Sequence, residues 1–234
     1  IGEYSFEGCS LLKEIIIPKS VTSIEKGCFS KCTSLEKITI PESIKYIPDL
    51  IFEGCSSLKE IELPTSITSI GEYAFSECQS LKHIYIPHSV KKIGKNAFQL
   101  NSSLKLISIP KSISKSSIGI DDNTKTITNY DESESLYEYG LEFYNGNSVS
   151  MNKNESLKYF KISADKGHYE AIFKCGYMQD VGDGVEINIP EAIKYYKISI
   201  SKGSGAAMYN YGILLFYGKG VPVNKEEAVK YYKM

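Results

Sequence analysis

Arginine and tryptophan are absent from this chain of 234 residues, so all 27 of its basic side chains are lysines. Without the planar guanidinium fork, bidentate reading of guanine or of a phosphate is closed to it. Net charge is only −1 and no segment is strongly basic, so the electrostatic footprint of a nucleic-acid binder is missing and no nucleic-acid partner is expected. Heavy lysine use beside abundant Ile, Asn, Tyr and Ser is the mark of an AT-rich coding sequence. Apolar residues make up 42% of the chain yet form no long uninterrupted run, and no membrane insertion within these residues is expected. Histidine is limited to His83, His88 and His168, scattered and without evident partners in the sequence. No Ser/His/Asp, Cys/His or paired-carboxylate set can be assembled. The chain is therefore expected to be no enzyme, with no catalytic residues, no cofactor and no metal.

What the chain does have is period. Phe6, Phe29, Phe52, Phe75 and Phe98 stand 23 residues apart, and Cys9, Cys32, Cys55 and Cys78 keep the same register. So do Leu12, Leu35, Leu58, Leu81 and Leu104, then Ile15, Ile38, Ile61, Ile84 and Ile107, and a proline closes each run at Pro18, Pro41, Pro64, Pro87 and Pro110. A fixed repeat of this length builds a solenoid, because one short coil cannot bury its own apolar face and must stack on its neighbours. In Leu58-Lys59-Glu60-Ile61-Glu62-Leu63-Pro64 the Ile61/Leu63 alternation predicts a strand with one buried face, ended by a proline that lacks the ladder donor. Five parallel strands are expected near 12–17, 35–40, 58–63, 81–86 and 104–109, with neighbours ~4.8 Å apart. The layout C-x-S-L-x-x-I-x-I-P-x-S-V-x-x-I-x-x-x-A-F resembles the leucine-rich repeat of the BspA-like type over about half the chain.

Within each strand some positions vary while their neighbours stay fixed. One outward column runs Glu14, Lys37, Glu60, His83, Leu106, and the next Ile16, Thr39, Glu62, Tyr85, Ser108. The exposed sheet of a solenoid is its usual partner surface, so these ten residues are the candidate binding face, with His83 and Tyr85 as its one ring-bearing patch. The cysteine column is expected to hold free, buried thiols packing as small apolar groups, since equivalent side chains in stacked coils point the same way at coil spacing and do not meet disulfide geometry. Cys28, matched by Ile51, Ala74 and Ala97, reads as an ordinary inward position.

After Ile113 the next unit ought to supply isoleucine at 116 and phenylalanine at 121; Ser116 and Asp121 stand there instead. Residues 1–113 are accordingly read as the first array and 114–134 as part cap, part linker, with Ile118, Ile120 and Ile127 available to cover the last coil.

Residues 135–234 keep a different register, of 36: Gly140, Gly176, Gly212; Tyr159, Tyr195, Tyr231; Asn152, Asn188, Asn224. Leu136, Tyr139, Gly140, Phe143 and Tyr144 follow helical spacing, as do Leu157, Phe160 and Ala164. Each Asn-x-x-Glu step offers the cap and acid that satisfy a helix's first free amides, and Pro190 falls in a first turn where its missing donor costs little. Glycine inside a helix costs ~1 kcal/mol relative to alanine, so its threefold recurrence predicts close helix–helix approach. Gly182-Asp183-Gly184 and Gly218-Lys219-Gly220 follow helices rather than strands, unlike phosphate loops. The string A-x-x-x-Y-G-x-x-x-x-x-G-x-G-V-x-x-N-x-x-E-A-x-K-Y-Y-K, clearest from Ala207 to Lys233, resembles the Sel-one-like repeat, a relative of the tetratricopeptide class; the first unit departs from it at Ser148 and Ser156.

The expected architecture is thus two solenoids, a leucine-rich-repeat parallel-sheet solenoid (β-rich) followed by an all-α helical-hairpin solenoid. The two resemblances imply adhesion or surface display for the first and adaptor roles for the second. The leading expectation is a non-catalytic protein–protein interaction scaffold whose partners are other proteins; the alternative is a cell-surface adhesin or antigen. Location stays open, with the cytoplasm placed ahead of the cell surface. The start at Ile1, partway through a unit, and the end at Met234, partway through an expected helix, suggest a piece of a longer protein. Asn101-Ser102-Ser103 and Asn154-Glu155-Ser156 match the N-glycosylation pattern.

Overall fold

The computed structural model describes residues 1–233, and the chain forms two compact units, Ile1–Tyr130 and the residues from Asp131 on. In the first, short parallel strands repeat once per coil: β1 (Glu14–Ile16), β2 (Lys37–Thr39), β5 (His83–Tyr85), β7 (Leu106–Pro110) and β8 (Lys125–Asn129) lie along one side. The register follows the repeat, with Ile15 opposite Ile38 and Ile84 opposite Ile107. The third expected strand, 58–63, narrows to a single parallel bridge between Thr39 and Glu62.

A second ladder was not expected. β3 (Tyr46–Ile47), β4 (Ser69–Ile70) and β6 (Lys92–Ile93) pair in parallel, aligning Ile47, Ile70 and Ile93. These residues belong to the Ser-Ile/Val-x-x-Ile step, whose isoleucines do face inward. Its two-residue strands are too short to show a period of two.

The 114–134 segment carries more of the ladder than a cap and linker imply. β8 pairs with β7 along five residues, placing Ile107 opposite Thr126 and Ser108 opposite Ile127. The offset there is 19 residues instead of 23, which is why a strict template finds Ser116 and Asp121 where apolar residues belong. Ile118 is fully buried, and its carbonyl accepts the Phe98 amide as the Ala97 carbonyl accepts that of Phe75 one coil earlier.

The phenylalanines form the spine. Successive rings from Phe6 to Phe98 stack with centroids 5.4, 5.8, 5.5 and 5.3 Å apart, each pair contributing about 0.5–1.5 kcal/mol beyond its buried area. Cys32, Cys55 and Cys78 are buried beside them, whereas Cys9, in the first coil, is exposed and departs from the expected column. The buried thiols are also more than small apolar groups: Cys32 Sγ donates to the Phe6 carbonyl, Cys55 to Phe29 and Cys78 to Phe52, at 3.1, 3.1 and 3.2 Å.

The second unit is built of antiparallel helix pairs: α1 (Glu132–Asn145), α2 (Lys153–Asp165), α3 (Tyr169–Val181), α4 (Ile189–Ser201), α5 (Gly205–Tyr217) and α6 (Lys225–Lys233). Asn152, Asn188 and Asn224 accept the amides of Glu155, Glu191 and Glu227, as their spacing predicts. The helix glycines sit against rings of the following helix. A Cβ on Gly140 would lie 2.8 Å from Phe160, one on Gly176 2.9 Å from Tyr196 and one on Gly212 2.6 Å from Tyr232. Lost propensity is thus exchanged for aromatic packing at close approach.

Candidate interaction surfaces

On the strand side of the first unit, Ile15, Ile38 and Ile61 point inward while Glu14, Ile16, Lys37, Thr39, Glu60 and Glu62 stand exposed. Ile16 is 87% exposed. The charges alternate between neighbouring rungs: Lys37 lies 3.8 Å from Glu60, and Lys59 pairs with Glu36. The bond from Lys59 holds the Glu36 carboxyl below its usual range, although an exposed pair of this kind contributes little to stability. Between the second and third rungs lies a shallow depression of about 230 Å³, lined by Lys37, Ile38, Thr39, Glu60, Ile61 and Glu62.

The remaining candidates differ. His83 and Tyr85 are half-buried, and Leu106 and Ser108 are fully buried. Every residue of β7 is buried, against the exposed–buried–exposed alternation of β2; Ile107 and Ile109 belong to the first unit's core.

The second ladder presents a larger groove, about 510 Å³, that sequence reading missed. Tyr46, Lys92, Asp49, Glu72 and Lys95 stand around it over a floor of Ile47, Ile70 and Ile93. Gly71 and Gly94 are required there, since a Cβ on either would fall 2.4 Å from backbone of the preceding coil. The variable column Tyr46, Ser69, Lys92 was the available signal.

In the helical unit the polar chemistry lies where consecutive repeats meet. Tyr144 donates its hydroxyl to Asp183, and burial together with that bond pushes its pKa up to about 12. One repeat later Asp180 takes the position of Tyr144 and Lys219 that of Asp183, and Lys219 Nζ donates to the Asp180 carboxylate at 2.8 Å. Tyr196 donates to the same carboxylate at 3.1 Å. His168, which looks solitary in sequence, caps α3 by accepting the Ala171 amide, lies 2.8 Å from Glu134 and stacks on Tyr137.

Nucleophiles are poorly served. Burial pushes the Cys28 and Cys32 thiols up to about 11 and those of Cys55 and Cys175 up to about 12, so each stays a neutral thiol near neutral pH. Among the described residues no group of three or more His, Cys, Asp or Glu is placed to hold a metal ion, and no helix is long and apolar enough to cross a membrane.

The model of the BspA type leucine-rich repeat region matches residues 1–128 in six copies, and that of the Sel1 repeat matches 133–168, 170–204 and 205–234. No curated protein matches the chain. A leucine-rich repeat protein of T. pallidum is similar at 30% identity and a TM-score of 0.50, covering 56% of this chain and 63% of that one. A Sel1 repeat protein of Oxalobacter formigenes is similar at 33% identity and TM-score 0.41, covering 43% of this chain and 41% of that one. The pneumococcal vaccine antigen PcpA is similar at 28% identity and TM-score 0.44, covering 50% of this chain and 31% of that one. The chain spans less than two thirds of the length of each of the three.

Proposed function

Since the chain belongs to the BspA-type leucine-rich repeat family over its first 128 residues and carries Sel1 repeats after them, we propose that it is a non-catalytic protein-interaction scaffold whose two arrays engage other proteins. The observation that carries this reading is the exposed sheet side. Glu14, Ile16, Lys37, Thr39, Glu60 and Glu62 project from a spine whose inward residues are fully occupied by packing. Positions that the repeat leaves variable are where specificity resides. A stacked core also holds them rigid, so little ordering cost accompanies binding.

His83 and Tyr85 form the half-buried margin of this face. Tyrosine is a frequent hot-spot residue, but truncating a half-buried one also removes packing. The clean test therefore uses Lys37→Glu and Glu60→Lys, both exposed. Their affinity for a protein partner recovered with the full chain is measured by calorimetry, with circular dichroism as the folding control. A loss of about 1 kcal/mol or more in either variant is expected; unchanged affinity in both, with folding intact, removes this face as the site.

A further inference from the structure

Three side chains from different elements converge on Tyr144. Lys153 Nζ lies 3.2 Å from its ring centre, Lys174 Nζ lies 4.5 Å from the same centre, and its hydroxyl is held by Asp183. Lys153 is only loosely paired with Asp183, at 3.5 Å. Among the described residues no hydrogen bond or ion pair reaches Lys174 Nζ, which is half-buried.

Part of this arrangement is ordinary repeat packing. The stem of Lys153 lies against Gly184 as Ile189 lies against Gly220 one repeat later, and Lys225 sits over Phe216 at 5.1 Å two repeats on from Lys153 and Tyr144. Lys174 has no such explanation. At its equivalent position stands Asn210, which donates to Tyr196 and is satisfied within the fold. At that later junction Lys219 is bonded twice to Asp180. Among the described residues, the junction of the first two repeats is thus where two ammonium groups lie around one ring with the Asp183 carboxylate beside them.

We propose that Lys174 and Lys153 form a carboxylate-binding site, which takes an acidic side chain of a protein partner at the junction of the first two helical repeats. Two ammonium groups against Asp183 leave one positive charge, which a carboxylate neutralises and a phosphate dianion overshoots. Lys174 has all three of its N–H donors to offer. The neighbouring ring attracts the ammonium but accepts no conventional hydrogen bond from it, so an incoming oxygen adds a bond without breaking one. Burial, with repulsion from Lys153, lowers the pKa of Lys174; an anion beside it opposes that shift. The site is independent of the strand face of the first array.

The test is a titration of the uniformly ¹⁵N-labelled full chain at pH 7 with sodium acetate, sodium phosphate and sodium chloride at matched ionic strength, following the Lys174, Asp183 and Gly184 amides by NMR. Acetate is expected to give a saturating shift at these amides. That response is abolished in Lys174→Gln, kept in Lys174→Arg, and unchanged in Lys202→Gln, which alters an exposed lysine elsewhere. Equal shifts with chloride, or a saturating response that survives Lys174→Gln, overturns the proposal. Tighter saturation by phosphate than by acetate overturns the carboxylate assignment. The wild-type comparison of acetate with chloride decides the question even where a variant fails to fold.

Discussion

Asn101 Nδ2 donates to the Phe75 carbonyl at 2.9 Å, in the place where Cys32, Cys55 and Cys78 donate their thiols to the phenylalanine of the coil before. The substitution of an amide for a thiol at the fifth copy shows what the column is for. It is a hydrogen-bond rail along the phenylalanine spine. Asn101→Ala is expected to cost about 1–3 kcal/mol, the penalty for leaving a buried carbonyl short of a partner, while Asn101→Cys costs clearly less. Denaturation midpoints of the two variants measure the difference, and equal losses would show that the bond is idle. The same burial, 3% exposed, predicts that the Asn101 amide takes no glycan in the folded chain, which peptide mapping after expression in a glycosylating host checks.

Thiol chemistry gives an independent reading of the same core. Cys9 is expected to react with a maleimide or disulfide reagent within the mixing time, whereas Cys28, Cys32, Cys55, Cys78 and Cys175 react only as the chain unfolds. The pH dependence has a definite sign. Burial raises the Cys55 pKa from 9.0 to about 12 in the fold, so the neutral thiol is the folded form and the thiolate favours the unfolded chain. The contribution is fully present below pH 9 and declines as pH rises from there towards 12. Stability that rises across that window, after the lysine and tyrosine contributions are separated by a Cys55→Ala control, would contradict the burial.

A paired glycine substitution separates backbone propensity from packing in the helices. Gly176→Ala drives a Cβ to 2.9 Å from the Tyr196 ring and is expected to destabilise by about 1–3 kcal/mol through overpacking. Gly205→Ala meets nothing within 4 Å at the start of α5 and is expected to be neutral or stabilising by up to about 1 kcal/mol. Thermal unfolding of the two variants gives the answer directly. A neutral Gly176→Ala would mean that the helices do not approach as closely as described.

Backbone strain supplies a further test. Leu100 is 58% exposed and adopts φ 60, in the left-handed region that Gly8 and Gly54 occupy at equivalent positions of earlier coils. A left-handed conformation costs a residue with a Cβ roughly 1–2 kcal/mol, part of which glycine loses again to its freer unfolded chain. Leu100→Gly is therefore expected to raise stability by about 0.5–1 kcal/mol, read from urea unfolding. A loss of stability would show that Leu100 makes packing contacts that outweigh the strain.

The inward columns were legible because packing leaves them no choice. Phe29, Leu35 and Ile38 each fill a slot that recurs in every coil, and Asn152 and Gly176 are equally constrained among the helices. Other features left no fixed residue type to read. The second ladder rests on pairs as short as Tyr46–Ile47, and the left-handed turns accept Leu50 and Tyr73 as well as glycine. The last rung shortened its own period. The Tyr144, Lys153, Lys174 and Asp183 cluster joins residues up to 39 positions apart through side chains that the repeat does not hold constant.

Methyl NMR of the full chain during titration with a protein partner tests the central claim most directly. The account predicts that the Ile16 and Thr39 methyl signals move first and furthest, with Ile38 and Ile61 beneath them following weakly and the second-ladder residues Ile47, Ile70 and Ile93 unmoved. Movement centred on the second ladder, with Ile16 and Thr39 silent at saturation, would contradict it.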